Sequence, residues 1–201
     1  MYETGFYKRR PLEKPSLDLC FEHPDKNKLV MITELKSSCI RGVVINRQSE
    51  HTITLTAVPL ITCSAYIFSF TNYDGVEKAI IYHATSPGPR YAGWIASQIK
   101  SETDLSTVSI IIATPGNPSR HPDLNEIGDI HSEYLHSVGF TSKIQILFDC
   151  DRYMINNKGK HGVEKFEHDL VFHKVPHLEE CTEYPVKEHI LDENTCSCLL
   201  L

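Results

Sequence analysis

The sequence has no surplus of basic residues. It contains 20 lysines and arginines against 26 acidic residues, which gives a formal net charge of −6 at pH 7. A protein that binds nucleic acid needs basic side chains to neutralise phosphates. We therefore expect no nucleic-acid partner.

Long hydrophobic runs are also missing. No stretch approaches the roughly 20 apolar residues of a membrane-spanning helix, and the first residues lack the apolar core of a secretory signal. The chain is therefore expected to stay in a reducing cytosol, where its seven cysteines, at irregular spacings, predict free thiols. We assign no metal site and expect no cofactor, because Pro176 interrupts the helix that would align His173, His177 and Cys181.

The composition is that of a soluble globular protein, with 41% hydrophobic and 23% charged residues among 201. We divide the chain into an N-terminal arm (1–15), one catalytic-like domain (16–175) and an acidic tail (176–201). Apolar periodicity predicts strands over 17–21, 28–35, 40–45, 52–58, 108–113, 144–148 and 166–175, and helices over 91–100 and 124–138. These elements predict an α+β fold, an α/β sandwich with a mixed or antiparallel sheet and two packed helices.

A β-hairpin over residues 63–83 forms the centre of this prediction. Two runs rich in β-branched and aromatic residues, 63–70 and 76–83, flank Thr-Asn-Tyr-Asp-Gly, a turn-forming segment. Symmetry about Tyr73 would place Cys63 opposite His83. Directly opposed residues have Cβ atoms roughly 4.5–5.5 Å apart, which allows a thiol–imidazole contact.

A cysteine beside a histidine indicates nucleophilic chemistry. An imidazolium lowers the thiol pKa, the thiolate attacks acyl carbon, and the imidazole protonates the leaving group. Amidohydrolysis, peptide cleavage and acyl transfer all use this pair, so the pair alone does not choose among them. A buried cysteine without any chemical role is the alternative.

Two segments carry a resemblance to a known family: Leu-Ile-Thr-Cys at 60–63, and Ile-Ile-Tyr-His at 80–83 on the partner strand. With the order of elements that follows, they make residues 52–160 resemble the glutamine deamidases of the chemotaxis-receptor type and the deamidase toxins similar to cytotoxic necrotizing factor. The resemblance implies a protein substrate with a reactive glutamine, Cys63 as nucleophile and His83 as base. It also implies an oxyanion site at the backbone of Thr62 and Cys63, with Thr56 as the residue that orients the histidine.

A rival catalytic pair lies earlier in the chain. Thr33 and Cys39, with His51 as the base, match the family's threonine-to-cysteine spacing better than Cys63 does. Their hairpin geometry is worse, because the turn-forming residues lie beside His51 and leave Cys39 about seven residues back, roughly 23 Å away. We therefore favour Cys63 and His83.

The last four residues, Cys-Leu-Leu-Leu, fit a C-a-a-X prenylation motif. Leucine at the final position predicts geranylgeranylation of Cys198, with palmitoylation of Cys196 as a second membrane signal. This expectation adds a host prenyltransferase and the cytosolic face of a host-cell membrane as partners, and indicates an effector or toxin in a eukaryotic cell. The alternative is a non-catalytic, lipid-anchored protein-binding module.

Overall fold

The structure is a computed structural model that describes residues 19–35, 38–84, 89–115, 124–142, 144–165 and 179–180. The N-terminal arm, the predicted strand over 166–175 and nearly all of the tail lie outside these residues. So do Cys196 and Cys198, and His173, His177 and Cys181.

The described residues form an α+β fold with two mixed sheets and two α-helices, so the predicted class is confirmed. The helices are α1 (Ala92–Lys100) and α2 (Leu124–Ser137), and a short 3-10 helix covers Leu105–Thr107. The strands are β1 (Phe21–Glu22), β2 (Lys28–Ile32), β3 (Ile40–Val44), β4 (Ile53–Ala57), β5 (Ser64–Thr71), β6 (Glu77–Ala84), β7 (Ser109–Ala113), β8 (Ile144–Leu147), β9 (Cys150–Asn156), β10 (Lys160–Lys165) and β11 (Glu179–Glu180).

One sheet has six strands in the order β1-β3-β6-β5-β7-β8, and the other has five in the order β11-β10-β9-β4-β2. The β5–β6 hairpin lies at the centre of the six-stranded sheet. It pairs in antiparallel fashion with β3 on one side and with β7 on the other.

Both faces of this hairpin are apolar, as expected for strands covered on two sides. Alternate residues of β5 and β6 belong to two different cores. One core includes Tyr66 and Phe68 and contains side chains of α1 and α2. The other includes Ile67 and Ile81 and contains side chains of the five-stranded sheet. The described layers are therefore helices, six-stranded sheet and five-stranded sheet, in that order.

The register of the hairpin differs from the prediction. Ala65 pairs with His83, and the last pair before the turn is Thr71 with Glu77, so the hairpin is centred on Asp74 rather than Tyr73. The reason is Asn72, whose Oδ1 accepts hydrogen bonds from two backbone N–H groups, those of Asp74 (3.0 Å) and Val76 (2.8 Å). These bonds draw Val76 into the turn, so Cys63 does not lie opposite His83.

Three strands were not predicted from the sequence: β9, β10 and the two-residue β11. Residues 150–156 and 160–165 form β9 and β10, an antiparallel pair joined by a turn in which Gly159 has φ +76°. These strands alternate charged and apolar residues only weakly, so the sequence pattern does not reveal them. β9 pairs with β4 and so holds the second sheet together.

Candidate functional site

The candidate site lies between the two sheets, at the end of the β5–β6 hairpin away from its turn. His83 is in β6 and Cys63 directly precedes β5. His83 faces Ala65, so Cys63 is its diagonal neighbour, a relation that ordinarily separates residues by roughly 7–8 Å. The odd-numbered positions of both strands face the five-stranded sheet, as Ala65 and Ile81 show. Both residues therefore lie at the same end of the hairpin and on the same face, but Cys63 is two residues away from the position opposite His83.

The imidazole of His83 has a fixed orientation. It is 2% exposed, and its Nδ1 lies 2.8 Å from the carbonyl oxygen of Ile32, the last residue of β2. A carbonyl oxygen only accepts, so Nδ1 carries the hydrogen and Nε2 is the basic nitrogen. Nε2 is buried and has no hydrogen-bond partner among the described residues.

Burial also sets the charge of this imidazole. Desolvation lowers the pKa of His83 below its usual 6.5, and this effect outweighs the Ile32 carbonyl and the Glu34 carboxylate, which both raise it. The side chain is therefore neutral at pH 7. A neutral imidazole with a free Nε2 is able to accept a proton.

The thiol of Cys63 has a carboxylate as its neighbour. Cys63 is 5% exposed, and its Sγ donates a hydrogen bond to Oε2 of Glu34 over 3.1 Å. The hydroxyl of Thr62 lies 3.9 Å from the same sulfur. Glu34 therefore contacts the thiol and also acts electrostatically on His83.

The sequence analysis did not identify Glu34 as a site residue. It lies two residues after β2, where the chain has left the sheet. A signal was present, because Glu34 is a single acid inside an otherwise apolar stretch ending at Leu35. Its proximity to Cys63 depends on the packing of one sheet on the other, which local patterns do not reveal.

Thr56, which was predicted to orient His83, does not face the hairpin that carries His83. In β4, Ile53, Leu55 and Ala57 face the hairpin. Thr56 is on the opposite face of the sheet, and its buried Oγ1 has no hydrogen-bond partner in the part of the chain that the structure describes. The residue that orients His83 is instead Ile32, through its carbonyl.

The predicted oxyanion segment lies in a bend before β5. Its start is held by the N–H of Leu60, which donates to the carbonyl of Asp151 over 2.8 Å. Leu60 is fully buried, whereas Ile61 is 52% exposed. This anchors the approach to Thr62 and Cys63 against β9.

The rival pair is not brought together. Cys39 precedes β3 and packs in the core on the helical side of the six-stranded sheet. His51 follows β3, and its carbonyl accepts from Nδ2 of Asn157 at the other end of the molecule. Because β3 and β4 belong to different sheets, no hairpin joins the two residues. Thr33 shares a hydrogen bond of 2.6 Å with Ser38.

Two exposed apolar side chains adjoin the site. Leu35 directly follows Glu34 and is 65% exposed, and Ile61 lies two residues before Cys63. The Glu34–Cys63 contact brings these two segments together.

Within the described ranges, no group of three or more histidine, cysteine, aspartate or glutamate side chains could hold a metal ion. Among the same residues, no helix has the length and apolar character to cross a membrane.

Comparisons with known proteins give limited matches. Residues 188–199 match a family model described as a CXCXC repeat, and no curated protein matches the chain. A solved structure that matches is the crystal structure of Neisseria meningitidis protein NMB0706, family-model DUF152, with 6% identity and a TM-score of 0.33. That alignment covers 60% of this chain and 63% of the other, so the chain spans less than two thirds of that protein.

These matches correct the resemblance drawn from the sequence. The solved structure belongs to DUF152 and not to the glutamine deamidases, so the assignment to that family is wrong. The segment containing Cys196 and Cys198 matches the CXCXC repeat and not a prenylation motif. The lipidation of both cysteines, and the prenyltransferase and membrane partners, stay predictions, because Cys196 and Cys198 lie outside the described residues.

Proposed function

We propose that the protein is a thiol-dependent amidohydrolase centred on the β5–β6 hairpin, with Cys63 as nucleophile and His83 as base. The observation that supports it best is the buried Nε2 of His83, which has no hydrogen-bond partner among the residues that the structure describes, in an imidazole whose tautomer is set by Ile32. A buried polar atom without a partner costs about 1–3 kcal/mol of stability. Such a cost is commonly retained where the atom has a chemical task.

In the proposed reaction, the two groups act in turn. The thiol proton moves to Nε2 of His83 as sulfur attacks the amide carbon, and His83 then delivers that proton to the departing nitrogen as the C–N bond breaks. A water molecule attacks the thioester, its proton returns through His83 to sulfur, and one amide and one water become an acid and an amine or ammonia. The N–H groups near Thr62 and Cys63 would stabilise the oxyanion.

We propose only the reaction class, hydrolysis of an amide through a thioester. A protein glutamine as substrate was implied by the resemblance that the comparisons correct, and a role as an effector or toxin was indicated by the prenylation motif. They are not part of the proposal.

A non-catalytic binding module is the second candidate. The observation that favours it is the hydrogen bond from the Cys63 thiol to a carboxylate, because a nearby negative charge keeps a thiol protonated. Under this alternative, Leu35 and Ile61 form a binding surface, and Cys63 only fills space.

The test uses an activated ester, p-nitrophenyl acetate, which needs no knowledge of the substrate. We expect Cys63 to be acetylated and then deacylated, as followed by peptide mass spectrometry. His83→Gln should slow acetylation by about 100-fold, the usual contribution of a positioned base. Cys63→Ser should abolish the thioester.

Cys39→Ser is the matched control, since Cys39 is as deeply buried as Cys63 and belongs to the rival pair. In this variant, p-nitrophenyl acetate should acetylate Cys63 at the same rate as in the wild type. Acetylation of Cys63 at an equal rate with and without the imidazole of His83 would rule out the hydrolase and leave the binding module.

A further inference from the structure

Strand β2 is an edge strand of the five-stranded sheet. It stands last in the strand order, and its strand partner among the described residues is the parallel strand β4. The N–H of Lys28 points toward β4, because it donates to the carbonyl of Thr52 over 2.9 Å. Backbone groups alternate between the two sides of a strand, so the N–H and C=O groups of Leu29 and Met31 point away from β4. In the part of the chain that the structure describes, these two donors and two acceptors form an open edge.

The same two residues carry exposed apolar side chains. Leu29 is 39% exposed and Met31 is 38% exposed, and alternation places both on the opposite face of the sheet from Ile32, which faces the hairpin. Charged residues, prolines or bulges usually protect an open edge from pairing. None of these occurs in Leu-Val-Met-Ile at 29–32, and the register with β4 is continuous. Such an edge is a surface on which another strand can pair.

The other edge strands that the structure describes lack this combination. β1 and β11 have two residues each, which is shorter than the usual strand length. β8 has four residues, and all of them are half-buried. β2 has five residues together with the two exposed apolar side chains. Of these edges, β2 is therefore the one suited to pairing with a further strand.

A second copy of β2 satisfies this edge in antiparallel register about a two-fold axis at Val30. Leu29 of one copy then lies opposite Met31 of the other, and the reverse pair is identical. Both pairs exchange two N–H···O bonds, so all four outward groups of each copy have partners. The exposed side chains also meet as apolar cross-strand pairs. Lys28 falls opposite Ile32, so the register places no two like charges against each other.

We propose that the protein forms a symmetric dimer by antiparallel pairing of β2 with β2 of a second copy, which joins the two five-stranded sheets into one continuous sheet. The two-fold axis closes the assembly at two chains, since each copy uses its β2 edge in the pair. The contact contains few side chains, so we expect a dissociation constant of about 10 μM or weaker. The dimer does not depend on the proposed hydrolase.

Sedimentation equilibrium on the 201-residue chain tests the association. The average mass should rise from that of one chain toward that of two between about 1 μM and about 500 μM protein. Met31→Lys should weaken the association at least tenfold, because lysine on an edge strand opposes pairing. Val76→Lys is the matched control, since Val76 is 37% exposed and lies in the turn of the central hairpin. Its association should equal that of the wild type.

A disulfide cross-link tests the register. Cys20 and the three cysteines after residue 180 are first changed to serine, which leaves the three buried cysteines. Val30 would face its own copy in a non-hydrogen-bonded pair, with Cα atoms about 4.5 Å apart, which a disulfide can bridge. Val30→Cys should therefore cross-link to itself, with oxidised glutathione taking up the two electrons and two protons. Leu29→Cys should cross-link in a mixture with Met31→Cys and not alone.

Circular dichroism and the fluorescence of Trp94, the single tryptophan, on each variant separate loss of association from loss of folding. A wild-type protein that stays a single chain over the whole concentration range overturns the dimer. A dimer that folded Met31→Lys leaves intact overturns its placement at β2. Self-cross-linking of Leu29→Cys in preference to Val30→Cys overturns the register.

Discussion

At the scale of single residues, three histidines share one hydrogen-bond pattern and differ in the partner atom. Two of them, His83 and His161, are buried, and His131 is half-buried. Nδ1 of His83, His131 and His161 each makes a hydrogen bond of 2.6–2.8 Å. The partners of His131 and His161 are tyrosine hydroxyls, which donate or accept, whereas the partner of His83 is a carbonyl, which only accepts. Only for His83 does the partner by itself identify Nε2 as the basic nitrogen.

The sequence could not have made this distinction. It contains eleven histidines, and burial and partner depend on how distant strands pack. The selection of His83 came from its place on a predicted strand opposite a cysteine. The predicted partner of His83 was wrong by two residues, because the hydrogen bonds of Asn72 inside the turn are not visible in a pattern of turn-forming residues.

His161 provides a residue-scale prediction on pH and stability. Burial lowers its pKa to about 4 in the folded state, against 6.5 when unfolded, so the unfolded chain binds more protons between these values. His161 therefore contributes full stability above pH 6.5 and loses it as pH falls toward 4, by roughly 3 kcal/mol in total.

Urea unfolding at pH 7 and pH 4.5, followed by the fluorescence of Trp94, the single tryptophan, measures this loss. His161→Gln should show a clearly smaller loss between the two pH values than the wild type. The pH dependence of stability that remains in His161→Gln includes contributions from His83 and His131, since burial lowers the pKa of both. An unchanged pH dependence in His161→Gln would contradict the prediction.

At the scale of elements, the central hairpin was the most predictable part of the fold. Its two strands, its turn and its apolar faces follow from β-branched and aromatic residues around Asn, Asp and Gly. The pairing of short β1 with β3 was not predictable. It depends on a glycine in β3 that leaves space for an aromatic ring from β1.

Gly42 and Phe21 are directly paired, and a Cβ added at Gly42 would lie 2.5 Å from Cδ1 of Phe21. We expect Gly42→Ala to destabilise the fold by about 1–3 kcal/mol, the usual cost of overpacking. In a Phe21→Ala background the same change should become neutral or stabilising, because alanine is better than glycine in a strand interior.

The two backgrounds form a double-mutant cycle measured by urea unfolding. Gly75→Ala is the control, since Gly75 has φ +79° and no atom within 4 Å of an added Cβ. Its cost comes from the backbone and should be equal in both backgrounds. An equal cost of Gly42→Ala in both would show that the ring of Phe21 does not restrict this position.

At the scale of the whole molecule, one sheet and the helices were predictable from the sequence and the second sheet was not. The six-stranded sheet and its helices follow from long apolar runs such as β7 and from the helical spacing in α1. The five-stranded sheet depends on β9, where Asp151 and Arg152 follow Cys150 and weaken the apolar pattern. Because β9 was not predicted, neither a second sheet nor a site between two sheets could be expected from the sequence.

The layers predict an order of local stability. The amides of Ile67, Phe68, Ile80 and Ile81 belong to the central hairpin, whose side chains lie in both cores. They should exchange with solvent only through global unfolding. Amides of β2, at one end of the five-stranded order, should exchange faster through local opening.

Native-state hydrogen exchange by NMR at low denaturant concentrations checks this order. The comparison is between the free energies of opening in β5 and in β2 within one protein sample. Equal protection of the two strands would contradict the layered description.

The hydrogen bond between His83 and Ile32 joins β6 of one sheet to β2 of the other. The ring tautomer of this histidine is therefore tied to the spacing between the sheets, since only the packed arrangement keeps the carbonyl at Nδ1. The ring ¹⁵N resonances of His83 become a spectroscopic reporter of global architecture. These resonances should change when the two sheets separate, even while the helices and strands themselves remain folded.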